Sequence, residues 1–103
     1  IYPLESDLVR NAPWLFFLEL KAPIDHLRNE FLAYLTSKNI ESRPYFYPLS
    51  QQPMFNLPDY LFPNSTRQSL TGVNLPLFTT MTLHQVDYVC NIINDFINCA
   101  SYG

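Results

Sequence analysis

Glycine is almost missing from this sequence: only Gly72 and Gly103 occur among 103 residues. A phosphate cradle needs glycine-rich main chain that approaches the ligand closely, so neither a P-loop nor a dinucleotide fingerprint is present. Lysine is equally scarce. Lys21 ends an expected strand and Lys38 an expected helix, and both read as solvated. A lysine that forms a Schiff base needs a desolvated pocket or a second cation beside it, and neither position offers one. His26 and His84 sit near the starts of two different helices without HxxxH or CxxC spacing, so no metal site is expected. A G-x-S-x-G nucleophile elbow is missing too. No residue of the chain is assigned a catalytic role.

Charge is thin as well. Charged residues make up 15% of the chain, the net charge is −3, and the six basic residues are scattered singly. That excludes the basic stripe a nucleic-acid binder requires. No apolar run approaches the ~20 residues needed to span a bilayer, and no secretory leader is read at the start. Cys90 and Cys99 fall on one expected helix, ~13 Å apart at the helical rise, too far for a bridge. Reduced cysteines favour a cytoplasmic setting. Asn64-Ser65-Thr66 matches a glycosylation sequon but reads as a helix start. The chain opens on Ile1, so an excised fragment or a processed product is expected.

What is abundant is apolar and aromatic: 48% and 16% of residues. Those values place the chain among globular proteins, and its length allows one domain, residues 1–103. Aromatic richness with little charge fits either a hidden face or a larger core. Residues 1–12 read as irregular, and Trp14 to Leu20 as a buried strand. A helix is expected from Pro23 or Asp25 to Lys38, with Leu27, Phe31 and Leu35 on its apolar stripe and Asn39 as a left-handed cap. Ile40 to Tyr47 reads as a second strand, at an edge or bulged because Pro44 lacks a donor. A proline-punctuated loop covers residues 48–64. A short helix capped by Asn64 or Ser65 ends at Gly72, and Val73 to Leu77 forms a third strand. Thr82 with Gln85 makes a capping box for a last helix, whose inner face carries Val86, Val89, Cys90, Ile93, Phe96 and Ile97. This order predicts an α+β two-layer sandwich: a small antiparallel or mixed sheet with helices on one face.

The richest segment runs from Glu41 to Pro53 and holds Arg43-Pro44-Tyr45-Phe46-Tyr47-Pro48-Leu49-Ser50-Gln51-Gln52-Pro53. Arginine reads carboxylate or phosphate, while aromatics wall a ring-shaped ligand. This segment resembles the R-x-H-Y-x-P-L-H-x-Q-P stretch in the C-terminal part of the DegT family, pyridoxal phosphate (PLP)-dependent aminotransferases of nucleotide-linked 4-keto sugars. Its R-P-x-F-Y-P-L-S form is most similar to the perosamine synthase branch. Phe62-Pro63 with the short helix resembles the family's F-P-x-A-E segment. Gly72 to Phe78 resembles its LSLP strand, and Thr82 to Phe96 its closing helix.

The resemblance implies the small domain of a fold-type-I aminotransferase. It implies that the Schiff-base lysine and most cofactor contacts belong to an N-terminal large domain outside these residues, so no cofactor is expected on this chain alone. The implied function is that of a C-terminal fragment, contributing one wall of the site where a nucleotide-linked 4-keto-6-deoxy sugar becomes the 4-amino sugar. The alternative is a stand-alone, non-catalytic binding or regulatory module. The substrate-binding candidates are Arg43, Tyr45, Phe46, Tyr47 and Ser50. Arg43 stands at the family's arginine, for an amino donor's carboxylate or a nucleotide phosphate, or else for an interdomain salt bridge. Tyr45 and Ser50 replace the family's two histidines, and Tyr45 cannot serve as a base near neutral pH. Strand alternation puts Tyr45 and Tyr47 on one face, leaving Phe46 for the core if the tyrosines face the cleft. The expected partners are the large domain, the nucleotide-sugar substrate and a second copy of the enzyme; nucleic acid and membrane are not.

Overall fold

A computed structural model describes residues 6–8, 10 and 15–102; Trp14 and most of the expected irregular stretch 1–12 lie outside the described residues. Three strands, β1 (Phe16–Glu19), β2 (Arg43–Pro44) and β3 (Gly72–Leu75), form an antiparallel sheet in the order β1-β3-β2. Three helices, α1 (Arg28–Ser37), α2 (Pro63–Thr71) and α3 (Leu83–Tyr102), complete the α+β fold. A 3₁₀ turn, Asp25–Leu27, leads into α1, and two more, Leu49–Gln51 and Asp59–Leu61, punctuate the loop before α2.

The sheet has two unlike faces. Leu18 lies opposite Val73, and Phe16 opposite Leu75; directly opposed residues share a face. Val73, Leu75 and Leu20 join Ile24, Phe31, Leu35 and Ile40 in one buried cluster. The inner side of α3 closes it through Val89, Ile92, Ile93, Phe96 and Ile97. Phe96 meets Phe31 and Tyr34 at 4.9 and 5.4 Å between ring centroids, and the Tyr88 hydroxyl donates to the Lys38 carbonyl at 2.8 Å. The expected stripe on α3 is corrected at two positions: Val86 and Cys90 face solvent, while Ile92 and Ala100 pack inward.

Helix ends follow from local chemistry. Asn39 takes φ 61°, in the left-handed region. The Ile40 amide donates to the Leu35 carbonyl at 2.9 Å and the Asn39 amide to Thr36 at 3.0 Å. That pair of bonds, with Ile40 and Leu35 both in the core, is a Schellman stop. At α3 the capping box forms as expected: the Thr82 amide donates to Gln85 Oε1 at 2.9 Å and the Gln85 amide to Thr82 Oγ1 at 3.2 Å. The expected cap of α2 is corrected. The helix starts at Pro63, with Phe62 at the cap position and no side-chain cap bond. Proline tolerates the first helical position because its missing N–H needs no partner there.

The second strand is much shorter than the expected span 40–47. Ile40 is committed to the α1 stop, and Pro44 cannot donate to a ladder, so β2 is a two-residue edge strand. Gly72 does not end α2 in a left-handed turn; it is extended, at φ −93° and ψ 151°, and opens β3. The last carbonyls of α2 find partners elsewhere: Gln68 takes the Gly72 amide, Ser69 the Arg28 guanidinium at 2.8 Å, and Thr71 the Leu20 amide at 3.1 Å. Arg28 thus anchors α1 to the end of α2, a role that helix periodicity does not reveal.

Candidate functional site

Arg43 and Asn74 lie directly opposite each other on β2 and β3. Phe17 lies opposite Asn74 on β1. All three therefore stand on the sheet face away from the α1–α3 core. Tyr45 follows Arg43 by two residues and shares that face; its amide donates to the Gly72 carbonyl at 3.1 Å. Its ring lies 4.3 Å from Phe17, tilted by 47°. The Phe17 ring lies over Gly72, where a Cβ would overlap it.

The structure divides the five sequence-derived candidates among different surroundings. Arg43 lines a cleft of about 610 Å³ at the sheet end where β3 leaves and β2 enters. Ser42, Asn74, Leu77, Phe78 and Met81 line it too, together with His84, Gln85 and Tyr88 from the start of α3. Tyr45 is half-buried against Phe17, and Phe46 lies 5.5 Å from the Tyr45 ring. Phe46 is exposed and not core, which corrects the alternation argument: the chain leaves the strand at Pro44, so strand alternation no longer governs position 46. Tyr47 projects from the surface at 77% exposure. Ser50 is buried and lines a second hollow, about 360 Å³, with Leu49, Phe55, Leu57, Phe62 and Ser65.

The cleft carries both a cation, Arg43, and a carboxylate, Glu41. The Arg43 guanidinium touches Glu41 at 3.5 Å, with both side chains about four-fifths exposed. Such exposed pairs contribute little, so Arg43 can take another anion with little loss. Asn74 is 8% exposed, and its Oδ1 has no hydrogen-bond partner among the described residues; the same holds for Ser42 Oγ. A buried acceptor left unpaired costs about 1–3 kcal/mol. Sequence reading missed both residues. The available signal was a lone asparagine inside the apolar run Val73 to Leu77.

Ser50 Oγ is likewise buried without a partner among the described residues. Its loop bonds mostly to itself: the Leu57 amide donates to the Ser50 carbonyl at 2.8 Å, and Gln51 Nε2 to Asp59 Oδ1 at 3.1 Å. With its backbone tied locally, the loop presents Tyr47, Leu49, Met54 and Tyr60 outward.

Elsewhere the ionic chemistry is structural. Glu19 accepts from Arg67 Nε at 2.8 Å and pairs with Lys21 at 3.4 Å, its own side chain only 8% exposed. The Arg67 hydrogen bond holds its carboxyl below the usual range. Lys21 is 74% exposed, and Lys38 is exposed over the Tyr34 ring. Among the described residues no cluster of histidine, cysteine or acidic side chains could hold a metal, and no helix is long and apolar enough to cross a membrane.

These elements define a small α+β fold with an open three-stranded antiparallel sheet. The chain belongs to the DegT/DnrJ/EryC1/StrS aminotransferase family, which it matches over residues 2–94. It is 33% identical over 97 residues to a GDP-perosamine synthase of Vibrio cholerae, a match covering 92% of this chain and 26% of that protein. It is 38% identical over 69 residues to a GDP-perosamine synthase of Escherichia coli O157:H7, covering 67% of this chain and 19% of that protein. The chain thus spans about a quarter or less of the length of these curated relatives.

The family is generally dependent on PLP. The described residues do not fit the covalent seat of that cofactor. A lysine that holds it must be desolvated or placed beside a second cation, whereas Lys21 is solvent-exposed beside a carboxylate and Lys38 lies exposed on an aromatic ring.

Proposed function

We propose that residues 1–103 form the C-terminal small domain of a PLP-dependent aminotransferase that converts a nucleotide-linked 4-keto-6-deoxy sugar to the 4-amino sugar. The observation that carries this reading is the family match across residues 2–94, joined by two relatives that bear the same name. The covalent chemistry belongs to a large domain supplied by additional polypeptide. This domain contributes one wall of the substrate site. Tyr45, Phe46, Tyr47 and Ser50 line the side facing the sugar and cofactor, and Arg43 takes an anionic group of a reactant, since its planar fork suits carboxylate and phosphate alike. The enzyme acts as a homo-oligomer in the cytoplasm, where it supplies an amino sugar for polysaccharide biosynthesis. The exposed, unbridged Cys90 and Cys99 suit that setting.

Two experiments test this reading. The chain is incubated with pyridoxal phosphate and reduced with borohydride; no stable adduct at a single lysine is expected, and specific labelling of Lys21 or Lys38 would overturn the division of labour. The enzyme encoded by the gene together with its upstream sequence is then assayed for amino transfer from L-glutamate to a GDP-linked 4-keto-6-deoxy sugar. Turnover is expected, and an enzyme saturated with cofactor that forms no amino sugar refutes the assignment.

A further inference from the structure

Gly72 is the point where four separate segments meet. Its amide donates to the Gln68 carbonyl, and its carbonyl accepts from the Tyr45 amide at 3.1 Å and from Arg28 Nη1 at 3.3 Å. The fourth segment is β1: a Cβ built on Gly72 would overlap the Phe17 ring. That ring lies 4.3 Å from the Tyr45 ring, which lies 5.5 Å from Phe46; these are the spacings of aromatic rings in contact. Tyr45 needs such support. β2 ends at Pro44, so among the described residues one main-chain bond, to Gly72, ties Tyr45 to the sheet. The Tyr45 hydroxyl makes no hydrogen bond among the described residues. A tyrosine has three staggered choices at χ1, and packing against Phe17 selects among them. Phe17 itself lines neither the cleft at Arg43 nor the hollow at Ser50. Its ring therefore acts on a reactant through Tyr45.

We propose that Phe17, seated in the gap that Gly72 leaves, is a positioning residue: it holds the Tyr45 ring in the orientation that meets the sugar. This inference rests on the reading of Tyr45 as part of the sugar-facing wall. Both ends of Tyr45 converge on Gly72. Its amide is bonded to the Gly72 carbonyl, and its ring packs on the phenyl group that fills the place of the missing side chain. Arg28 joins the same point to α1, through the carbonyls of Ser69 and Gly72. Backbone and ring are thus tied to one place before any ligand arrives. Such pre-organisation lowers the ordering cost of binding. Loss of Phe17 weakens binding of the sugar and leaves the chemistry alone, a change that raises KM with kcat unaltered.

The test uses the enzyme encoded by the gene together with its upstream sequence, labelled with 3-fluorotyrosine. The Tyr45 fluorine resonance is assigned by its disappearance in Tyr45→Phe. Without substrate, Phe17→Leu is expected to move that resonance to the position of a solvent-exposed tyrosine and to leave the other tyrosine signals in place. With the GDP-linked 4-keto-6-deoxy sugar, Phe17→Leu is expected to raise KM about threefold to tenfold and to leave kcat unchanged. Tyr45→Leu is expected to raise KM at least as much, and the double variant no further, because the first residue acts through the second. Thr82→Ala weakens the cap of α3 at a residue that lines neither hollow; its KM is expected to match the parent enzyme, which separates positioning from a loss of stability. If Phe17→Leu does not fold, Phe17→Met is read in the same way. The proposal fails if the Tyr45 resonance stays in place, if KM is unchanged in the Phe17 variant, if kcat falls with KM steady, or if the two substitutions add in full. An enzyme that forms no amino sugar counts against the proposed function, while the Tyr45 resonance, read without substrate, still decides whether Phe17 holds that ring.

Discussion

Gly72 is a glycine for packing, not for backbone freedom. Its φ of −93° suits any residue, but a Cβ there would overlap the Phe17 ring and come within 2.5 Å of the Gln68 carbonyl oxygen. That carbonyl is fixed by the end of α2, so neither neighbour yields cheaply. Gly72→Ala is expected to cost about 1–3 kcal/mol, read as a lower urea midpoint with an unchanged slope. Glu19 shows the same dependence on distant partners. Its carboxyl is lowered from the ordinary 4.5, chiefly by the hydrogen bond from Arg67. A depressed carboxyl contributes stability that is fully present above its ordinary value and fades as pH falls through the lowered one. Unfolding free energy should therefore be flat near neutrality on account of this group and decline below pH 4.5. Arg67→Ala should lose about 1.5 kcal/mol at pH 7 and show a shallower acid decline. Parallel pH profiles for the two proteins would refute this account. Neither partnership was legible in the sequence, since Glu19 and Arg67 are 48 residues apart.

Elements whose ends are set by neighbours in the chain were legible. The α1 stop at Asn39 and the Thr82–Gln85 box on α3 need only a few consecutive residues, and both formed as expected. Thr82→Ala should cost about 1 kcal/mol, measurable by thermal unfolding; no change in midpoint would show that the cap is redundant. Elements shaped by tertiary competition were misjudged. The run 40–47 has strand composition, yet Ile40 is held by the helix before it and Pro44 stops the ladder. The start of α2 moved to Pro63 because a proline at the first helical position outweighed the side-chain caps behind it. On α3 the amphipathic face was correct in kind but rotated, since Val86 and Cys90 lie beyond the edge of the buried cluster.

At the scale of the molecule, apolar surface is the distinguishing feature. Tyr47, Leu49, Met54 and Tyr60 are each at least 74% exposed within one loop, and large exposed apolar surface favours association. The isolated chain is therefore expected to self-associate with rising concentration. Replacing Tyr47, Met54 and Tyr60 together by glutamine should suppress this without lowering the unfolding midpoint. Light scattering on both proteins decides: a clean monomer of the parent chain at all concentrations refutes the expectation.

Composition and short-range pattern were enough to establish the fold class, the likeness to its family and the exposed placement of both lysines. Each depends on residue type or on residues a few positions apart, and solvation of Lys21 and Lys38 followed from their places at element ends. Long-range pairing was needed for the site. The register that sets Arg43 opposite Asn74, the Phe17 ring that covers Gly72, and the division of Arg43 and Ser50 between two hollows arise from contacts across distant segments. Local propensity cannot encode them, because a strand's partner and register emerge only when its apolar face is buried against the rest of the chain.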